Sequence, residues 1–337
     1  MKRRLDVTMP EQIEQQVLSA FPGLDSDVDR IQNVIDQCAG KMGIEQPEWC
    51  NVCMTVALDI ARERGIVSNP MDEKDAGWIW AYKLAAILAW RKSKVIYEFD
   101  NTLAEELKPG KTEPFVIPSD VVHHAPYQCV YVRGLPGMPE WIDGAFFLLE
   151  WDWRHPSDTE LRIIYCSNDT DIFSLYYCWG PCSESRQGYN ENGHNVTYDP
   201  LFNQAYYQKY WECCPGNFLN HVNMFAYLCS EKPDVIREMP SPKTIGAGHC
   251  RKAKRNDVQY VGRYVGSILR KARIENAAST VQNETGKTVQ PHMRRAHWHL
   301  YRVGKGRKKT VLKWLHPIFV NSEYANEIPT SIHGVEN

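Results

Sequence analysis

The sequence predicts an α+β protein: a helical N-terminal part, then an antiparallel β-meander with packed helices, and a basic C-terminal β-hairpin. Apolar residues recur at helical spacing through the first 92 residues. Short apolar segments separated by turn residues follow in the middle of the chain. Near the C-terminus, two stretches of alternating polarity flank Gly304-Lys-Gly306, whose glycines tolerate the positive φ of a turn. The composition, 43% hydrophobic and 24% charged, is that of a globular protein.

The N-terminal part is expected to hold three helices. Ser26 precedes an amphipathic pattern that stops at Gly40, and Pro47 is expected to open a second helix that ends near Gly65. Asp75 can cap a third helix that runs through Trp90. This third helix is apolar nearly all round, which predicts a central position in the core.

The middle of the chain alternates strands and turns before it returns to helix. A short helix is expected near Thr102–Leu107, and Pro109-Gly110 marks a boundary. The strands predicted for the antiparallel meander are Cys129–Val132, Ala145–Glu150, Leu161–Cys166 and Phe173–Trp179. Further helices are expected over Phe218–Ser230 and along the apolar face from Val258 to Leu269. We therefore divide the chain into 1–108, a helical region; 109–240, an α+β region; 241–325, a basic helix plus hairpin; and 326–337, a tail.

The charge is divided unevenly along the chain. Residues 243–322 carry 18 Lys and Arg against three acidic residues, whereas the net charge of the whole chain is −2. Such a division indicates a polyanionic partner. The alternative is that the acidic part covers the basic part within the molecule. We favour an external polyanion, because aromatic residues and glycines interleave with the basic ones.

No cofactor, structural metal or membrane segment is expected. The eleven cysteines are scattered and odd in number, which favours reduced thiols in the cytoplasm. Cys50 and Cys53 have the spacing of half a zinc site, but no second pair follows. The longest apolar run, Trp78 to Trp90, is too short to span a bilayer, and the N-terminus lacks the apolar region of a signal peptide. Phosphate-binding glycine motifs are also absent from the sequence.

The C-terminal hairpin is the candidate functional site. His297, His299, Tyr301 and Val303 share one face of its first strand, and Thr310 to His316 forms the return strand, which Pro317 ends. Imidazole, guanidinium and aromatic groups on one hairpin suit contacts with phosphates and bases. The predicted RNA-binding residues are His292, Arg294, Arg295, His297, Trp298, His299, Tyr301, Arg302, Lys305, Arg307, Lys308, Lys309, Lys313 and His316.

Three kinds of chemistry are open to these residues. With His292 or His316, the pair His297 and His299 could bind a metal, but the surrounding positive charge opposes a dication. The two histidines could instead act as general base and acid in metal-independent RNA cleavage, with an arginine stabilising the phosphorane-like charge. Simple binding by stacking and phosphate pairing is the third possibility and the one we favour. A purely structural role, with Trp298 and Trp314 in the core, is the remaining alternative.

The same stretch resembles a known family. The sequence from Gln290 to Tyr301, the Gly-x-Gly turn, Lys313-Trp314 and Pro317–Asn321 resemble the C-terminal signature of the second-described type V-A anti-CRISPR family, found on phages and plasmids. Weaker similarities lie upstream, at Ala89-Trp-Arg91 with Ile96-Tyr97, Gln128–Val132, Gly144–Phe147 with Leu149-Glu150, Leu228–Val235, and Val261-Gly262 with Gly266. They cover about residues 78–321, whereas the first 70 residues show no similarity to the family.

The resemblance implies an inhibitor that lowers production of a type V-A CRISPR effector. Such an inhibitor would recognise the nascent N-terminal peptide of the effector during translation and cause loss of the message. The expected partners are therefore that nascent peptide and RNA or the ribosome, in the cytoplasm of a bacterial host. A metal-independent endoribonuclease is the enzymatic alternative. A general RNA- or DNA-binding regulator is another, although no helix-turn-helix pattern precedes the basic helix.

Overall fold

The structure of the protein is a computed structural model. The described residues are 7–68, 77–108, 119–153, 156, 159–179, 196–198, 215–237, 257–279, 292–294, 297–315 and 318–320.

Four helices form a layer at the N-terminal end of the chain. They are α1 (Met9–Ala20), α2 (Leu24–Lys41), α3 (Met54–Glu63) and α4 (Trp78–Trp90). Eleven of the thirteen residues of α4 are buried, which confirms its predicted central position. No described helix is long and apolar enough to cross a membrane.

The helix boundaries differ from the expected ones in three places. Helix α2 begins at Leu24, before Ser26, and continues through Gly40 to Lys41. Helix α1, opened by a capping box between Thr8 and Glu11, was not predicted. The prediction that Pro47 opens a helix is wrong: the Cys50 amide donates to the Pro47 carbonyl in a turn, and α3 begins at Met54. Asp75, the predicted cap of α4, lies outside the described residues.

One eight-stranded mixed sheet lies at the centre of the fold. Its strands are β1 (Val95–Phe99), β2 (Cys129–Arg133), β3 (Ile142–Glu150), β4 (Thr159–Ser167), β5 (Ile172–Trp179), β6 (Val196–Tyr198), β7 (Val235–Arg237) and β8 (Asp257–Val261). The spatial order is β6-β5-β4-β3-β2-β1-β8-β7. Strand β1 runs parallel to both β2 and β8, and the other neighbours are antiparallel. The predicted meander is therefore confirmed, as β2 to β5.

Each face of the sheet is covered by its own hydrophobic core. Alternate residues along a strand point to opposite faces, and along β1 the side chain of Ile96 joins the core under the four N-terminal helices. Its neighbours Val95 and Tyr97 join the core on the other face. That second core is closed by α5 (Asn101–Glu106), α6 (Ser119–Val122), α7 (Pro215–Leu228) and α8 (Arg263–Ser279).

The stretch from Val258 to Leu269 is divided between a strand and a helix. It was expected to be helical throughout, but its first residues form β8 beside β1. Gly262, with φ of +77°, makes the turn into α8. Strands of the predicted ranges 1–108, 109–240 and 241–325 all lie side by side in the one sheet. The range boundaries themselves stay a prediction.

Candidate functional site

The C-terminal hairpin has the predicted geometry. Strand β10 (His297–Val303) pairs in antiparallel register with β11 (Lys309–Leu315). The connection is a short 3₁₀ turn, Lys305–Arg307, in which the Arg307 amide donates to the Gly304 carbonyl over 3.0 Å. Gly304 and Gly306 both have positive φ, as expected for the turn. A second short pair, β9 (His292–Arg294) with β12 (Ile318–Val320), flanks the hairpin in sequence.

The inner face of the hairpin packs on the core. Trp298 lies opposite Trp314, and Leu300 lies opposite Leu312. Trp314 is 8% exposed and meets the Tyr227 ring edge-on, with 6.0 Å between ring centroids. Trp298 is half-buried and packs against the same core, so its ring does not join the outward-facing residues.

The outer face of the hairpin carries rings and a cation. His299 and Tyr301 have ring centroids 4.2 Å apart at a tilt of 33°, and the Lys313 ammonium lies 5.2 Å from the Tyr301 centroid. The Lys313 Nζ also pairs with Glu231 Oε2 at 2.7 Å. This face therefore brings together an exposed imidazole, a phenol ring and an ammonium group that lies at cation–π distance from the phenol ring.

The end of the hairpin carries a cluster of cations, which we call the tip cations: Arg302, Lys305, Arg307, Lys308 and Lys309. All five are exposed. Within the described part of the chain, no carboxylate forms an ion pair with any of them. Their charge is therefore available to an anionic partner.

The basic face of α8 differs from the tip in this respect. Arg270 pairs with Asp100 at 2.8 Å, and Arg273 pairs with Glu106. Asp100 and Glu106 lie at the two ends of α5, so acidic residues of the first predicted range neutralise basic residues of the third. Intramolecular cover by acidic residues thus occurs at α8 and is not seen for the tip cations.

Four further predicted site residues are His292, Arg294, Arg295 and His316. His292 and Arg294 lie on β9, in register with Val320 and Ile318 of β12. Arg295 and His316 lie outside the described residues. Among the described residues, no group of three or more His, Cys, Asp or Glu side chains is arranged to hold a metal ion.

Glu231 anchors the hairpin from the end of α7 and was not among the predicted site residues. Besides its ion pair with Lys313, its backbone amide donates to the Leu312 carbonyl over 2.9 Å. In the sequence, Glu231 is marked by its position within Leu228–Val235, one of the stretches similar to the family. That similarity does not identify Lys313, 82 positions later, as its partner.

The buried thiols and the buried imidazole are structural groups. Cys50 and Cys53 are both buried, and desolvation raises the pKa of each thiol, which opposes the thiolate form that zinc requires. Desolvation also lowers the pKa of His221 to about 4. That ring is neutral in the core, where its nitrogens lie 2.9 Å from the Tyr165 hydroxyl and 3.2 Å from the Pro136 carbonyl.

Comparisons with known proteins agree with the resemblance in the C-terminal stretch. The AcrVA2-like family, described as the anti-CRISPR type V subtype A2 family, matches residues 97–322, which is 226 of the 337 residues. The fold is similar to the crystal structure of AcrVA2, with a TM-score of 0.50 over 94% of this chain and 100% of that one, at 16% identity. No curated protein matches the sequence.

Proposed function

The chain belongs to the anti-CRISPR type V subtype A2 family, and from that membership we propose that it represses production of a type V-A CRISPR effector in a translation-coupled way. In this proposal the chain recognises the nascent N-terminal peptide of the effector. It engages RNA or the ribosome through the basic C-terminal module, and the message of the effector is destabilised. The action takes place in the cytoplasm of the bacterial host and serves evasion of host defence.

One observation supports the RNA-facing part of the proposal: the tip cations are exposed beside an aromatic outer face, and no described carboxylate pairs with them. An RNA strand can make two kinds of favourable contact with such a surface, because cations neutralise its phosphates and rings such as Tyr301 stack on its bases. The inner face cannot take part, since Trp314 and Leu312 are buried in the core. In the described part of the chain, the hairpin therefore presents its outer face and its tip cations to a partner, while its inner face packs on the core.

Binding fits this surface better than cleavage. A general base is usually oriented by a hydrogen-bonded partner, often a carboxylate. The described carboxylate beside the outer face, Glu231, pairs with Lys313. In the described part of the chain, no carboxylate pairs with His299, which packs against the Tyr301 ring instead. We therefore propose that His299 is not a general base, and that His297 and His299 contact RNA.

The RNA test is a titration of labelled single-stranded RNA at several salt concentrations. Five tip cations that each neutralise one phosphate give a slope of log K against log salt of about −3.5, or roughly a 100-fold loss between 50 and 200 mM salt. Lys305→Gln with Lys309→Gln should make that slope shallower by about 1.4. The matched control, Lys41→Gln with Lys92→Gln, changes two exposed lysines of the helical layer and should leave the slope unchanged.

The peptide test uses the effector message in cells that carry the chain. Synonymous recoding of the first codons changes the RNA and keeps the peptide, whereas a compensated frameshift over the same codons changes the peptide and nearly keeps the RNA. We expect the message to fall with the recoded gene and to persist with the frameshifted one. The reverse pattern would refute recognition of the nascent peptide while leaving RNA binding by the hairpin intact.

A further inference from the structure

A groove lies in the helical layer, at the C-terminal end of α2. It is bordered by that helix end, by residues 44–51 and by Trp151, and its volume is about 490 Å³. That volume falls within the usual range of ligand-binding clefts. Apart from Trp151, its lining residues lie between Gln32 and Asn51, which precede the part of the chain matched by the family.

The walls of the groove are held by buried hydrogen bonds. The side chain of Gln128, the residue that precedes β2, is 3% exposed. Its Oε1 accepts from the amides of Asn51 and Val52 at 2.7 and 3.1 Å, and its Nε2 donates to the carbonyls of Val52 and Leu149 at 2.6 and 3.2 Å. The segment after α2 is thereby fixed to the sheet, so the groove is preformed.

The floor of the groove is apolar and its rim is acidic. Ile35, Ala39, Cys50 and Trp151 form the buried floor. The rim carries three exposed carboxylates, those of Asp36, Glu45 and Glu48. Among the described residues, no Lys, Arg or His lines the groove. In the described part of the chain, no cation pairs with Glu45 or Glu48. A ligand that matches this lining has a cation beside an apolar group.

Amide side chains complete the lining. Gln32 Nε2 donates to Asp36 Oδ1 at 2.7 Å and to Gln46 Oε1 at 3.0 Å. Among the described residues, the buried Gln32 Oε1 has no hydrogen-bond partner. An N–H group of a ligand would satisfy this acceptor. Peptide groups carry such donors together with carbonyl acceptors for Asn51, whose side chain is exposed at the edge of the groove.

We propose that this groove binds an extended peptide segment in which a Lys or Arg stands next to an apolar residue. The apolar side chain occupies the floor, the cation meets the carboxylates of the rim, and the peptide groups pair with the amide side chains. Nucleic acid is excluded, because its phosphates would be repelled by the same carboxylates. The inference deepens the proposed function and rests on its peptide-recognition part, because it gives that recognition a place and a ligand chemistry. It uses neither the hairpin nor the identity of the effector.

The test uses two pools of fluorescein-labelled octapeptides with otherwise randomised positions. One pool fixes Leu-Lys at the centre, and the other fixes Leu-norleucine, which keeps the four-carbon stem of the lysine side chain and removes its ammonium group. Binding to the full chain is measured by fluorescence anisotropy. We expect the lysine pool to bind at least tenfold more tightly than the norleucine pool.

Two variants locate the binding in the groove. Glu45→Gln with Glu48→Gln removes rim charge, and Gly40→Phe fills the groove, since a Cβ at Gly40 would meet no atom within 4 Å. Each should weaken binding of the lysine pool at least tenfold. The matched controls are Glu140→Gln with Asp169→Asn, two exposed carboxylates on distant turns, and Val34→Phe, an exposed position of α2 outside the groove lining. Neither control should change the binding.

Three outcomes would overturn the proposal. Equal binding of the two pools would show that the rim does not select a cation. Equal weakening by the control variants would place the binding elsewhere on the surface. Concentration-dependent association of the chain with itself, abolished by Gly40→Phe, would make a second copy the occupant. The RNA titration of the hairpin is unaffected by any of these results, so failure here and failure of the proposed function are distinguishable.

Discussion

The same substitution, glycine to alanine within a helix, should have opposite effects at two positions of this protein. At Gly40 in α2, an added Cβ meets no atom within 4 Å. Gly40→Ala should therefore stabilise the fold by about 0.5–1 kcal/mol, the conformational cost of glycine in a helix. At Gly266 in α8, the added Cβ would lie 2.1 Å from Asp100 Oδ1. Non-bonded carbon and oxygen atoms do not approach so closely, so the Asp100 side chain has to move.

Movement of Asp100 would lower the stability of the fold, because its carboxylate accepts hydrogen bonds from the start of α5 and from Arg270. Its Oδ1 accepts from the amides of Thr102 and Leu103 at 2.9 and 3.3 Å, which caps α5, and both oxygens pair with Arg270. A lost cap costs about 1 kcal/mol and an overpacked contact about 1–3 kcal/mol. The half-exposed Arg270 pair adds little, since surface pairs are worth about 0–1 kcal/mol. After the helix-propensity gain, Gly266→Ala should destabilise the protein by about 1–3 kcal/mol.

The assay is urea unfolding of the wild type and the two variants under identical conditions. We expect the free energies of unfolding of the two variants to differ by about 2–4 kcal/mol. A third background, Asp100→Ala, removes the carboxylate that the new methyl group would strike. In that background Gly266→Ala should cost at least 1 kcal/mol less than in the wild type. A Gly266→Ala variant as stable as Gly40→Ala, or additive with Asp100→Ala, would refute the packing argument.

Three further predictions concern protons, metals and the hairpin. The neutral His221 has a pKa of about 4 in the folded state against 6.5 for the free side chain, so the unfolded chain binds the proton first as the pH falls. The free energy of unfolding should therefore drop by up to about 3 kcal/mol between pH 6.5 and 4. Urea unfolding of His221→Gln should show a shallower dependence on pH in that window. Elemental analysis of protein purified without chelator should find no stoichiometric zinc, iron or manganese, and one metal per chain that disappears in His297→Ala would contradict this. His299→Ala should weaken RNA binding, and the pure wild-type protein should not cleave RNA; chelator-resistant cleavage that falls by about 10²–10⁴-fold in His299→Ala would show that the histidines are catalytic.

The parts of the fold that were predictable are those with a strong local period. The meander could be found because each of its strands is a compact apolar segment between turn residues, and the hairpin because Gly304 and Gly306 separate two alternating patterns. Helix α4 could be found because it is apolar nearly all round. In these segments, local preference and tertiary packing agree.

Other elements depend on partners far away in the sequence. Only four residues separate strand β1 from α4, and none of them is a Gly or Pro that would mark the turn in the sequence. The strand character of β1 comes from its pairing with β2 and β8. Val258–Val261 has helical spacing with the residues after it, yet the pairing with β1 makes it a strand. In the candidate site, the position of the tip cations followed from the sequence. The neutralisation of Arg270 and Arg273 by Asp100 and Glu106 did not, because ion pairs across some 170 positions leave no local pattern.

The pairing of β1 with β8 also sets the order in which the molecule can fold. The two strands are separated by more than 150 residues, which takes about 8–30 s to synthesise. Until β8 emerges, one edge of β1 remains unpaired and offers its backbone groups to any other extended chain. Contacts of such long range also slow folding, because the intervening loop has to be closed before they form. For part of its synthesis the growing chain therefore carries a half-sheet with an open edge, a state in which proteins are prone to aggregate.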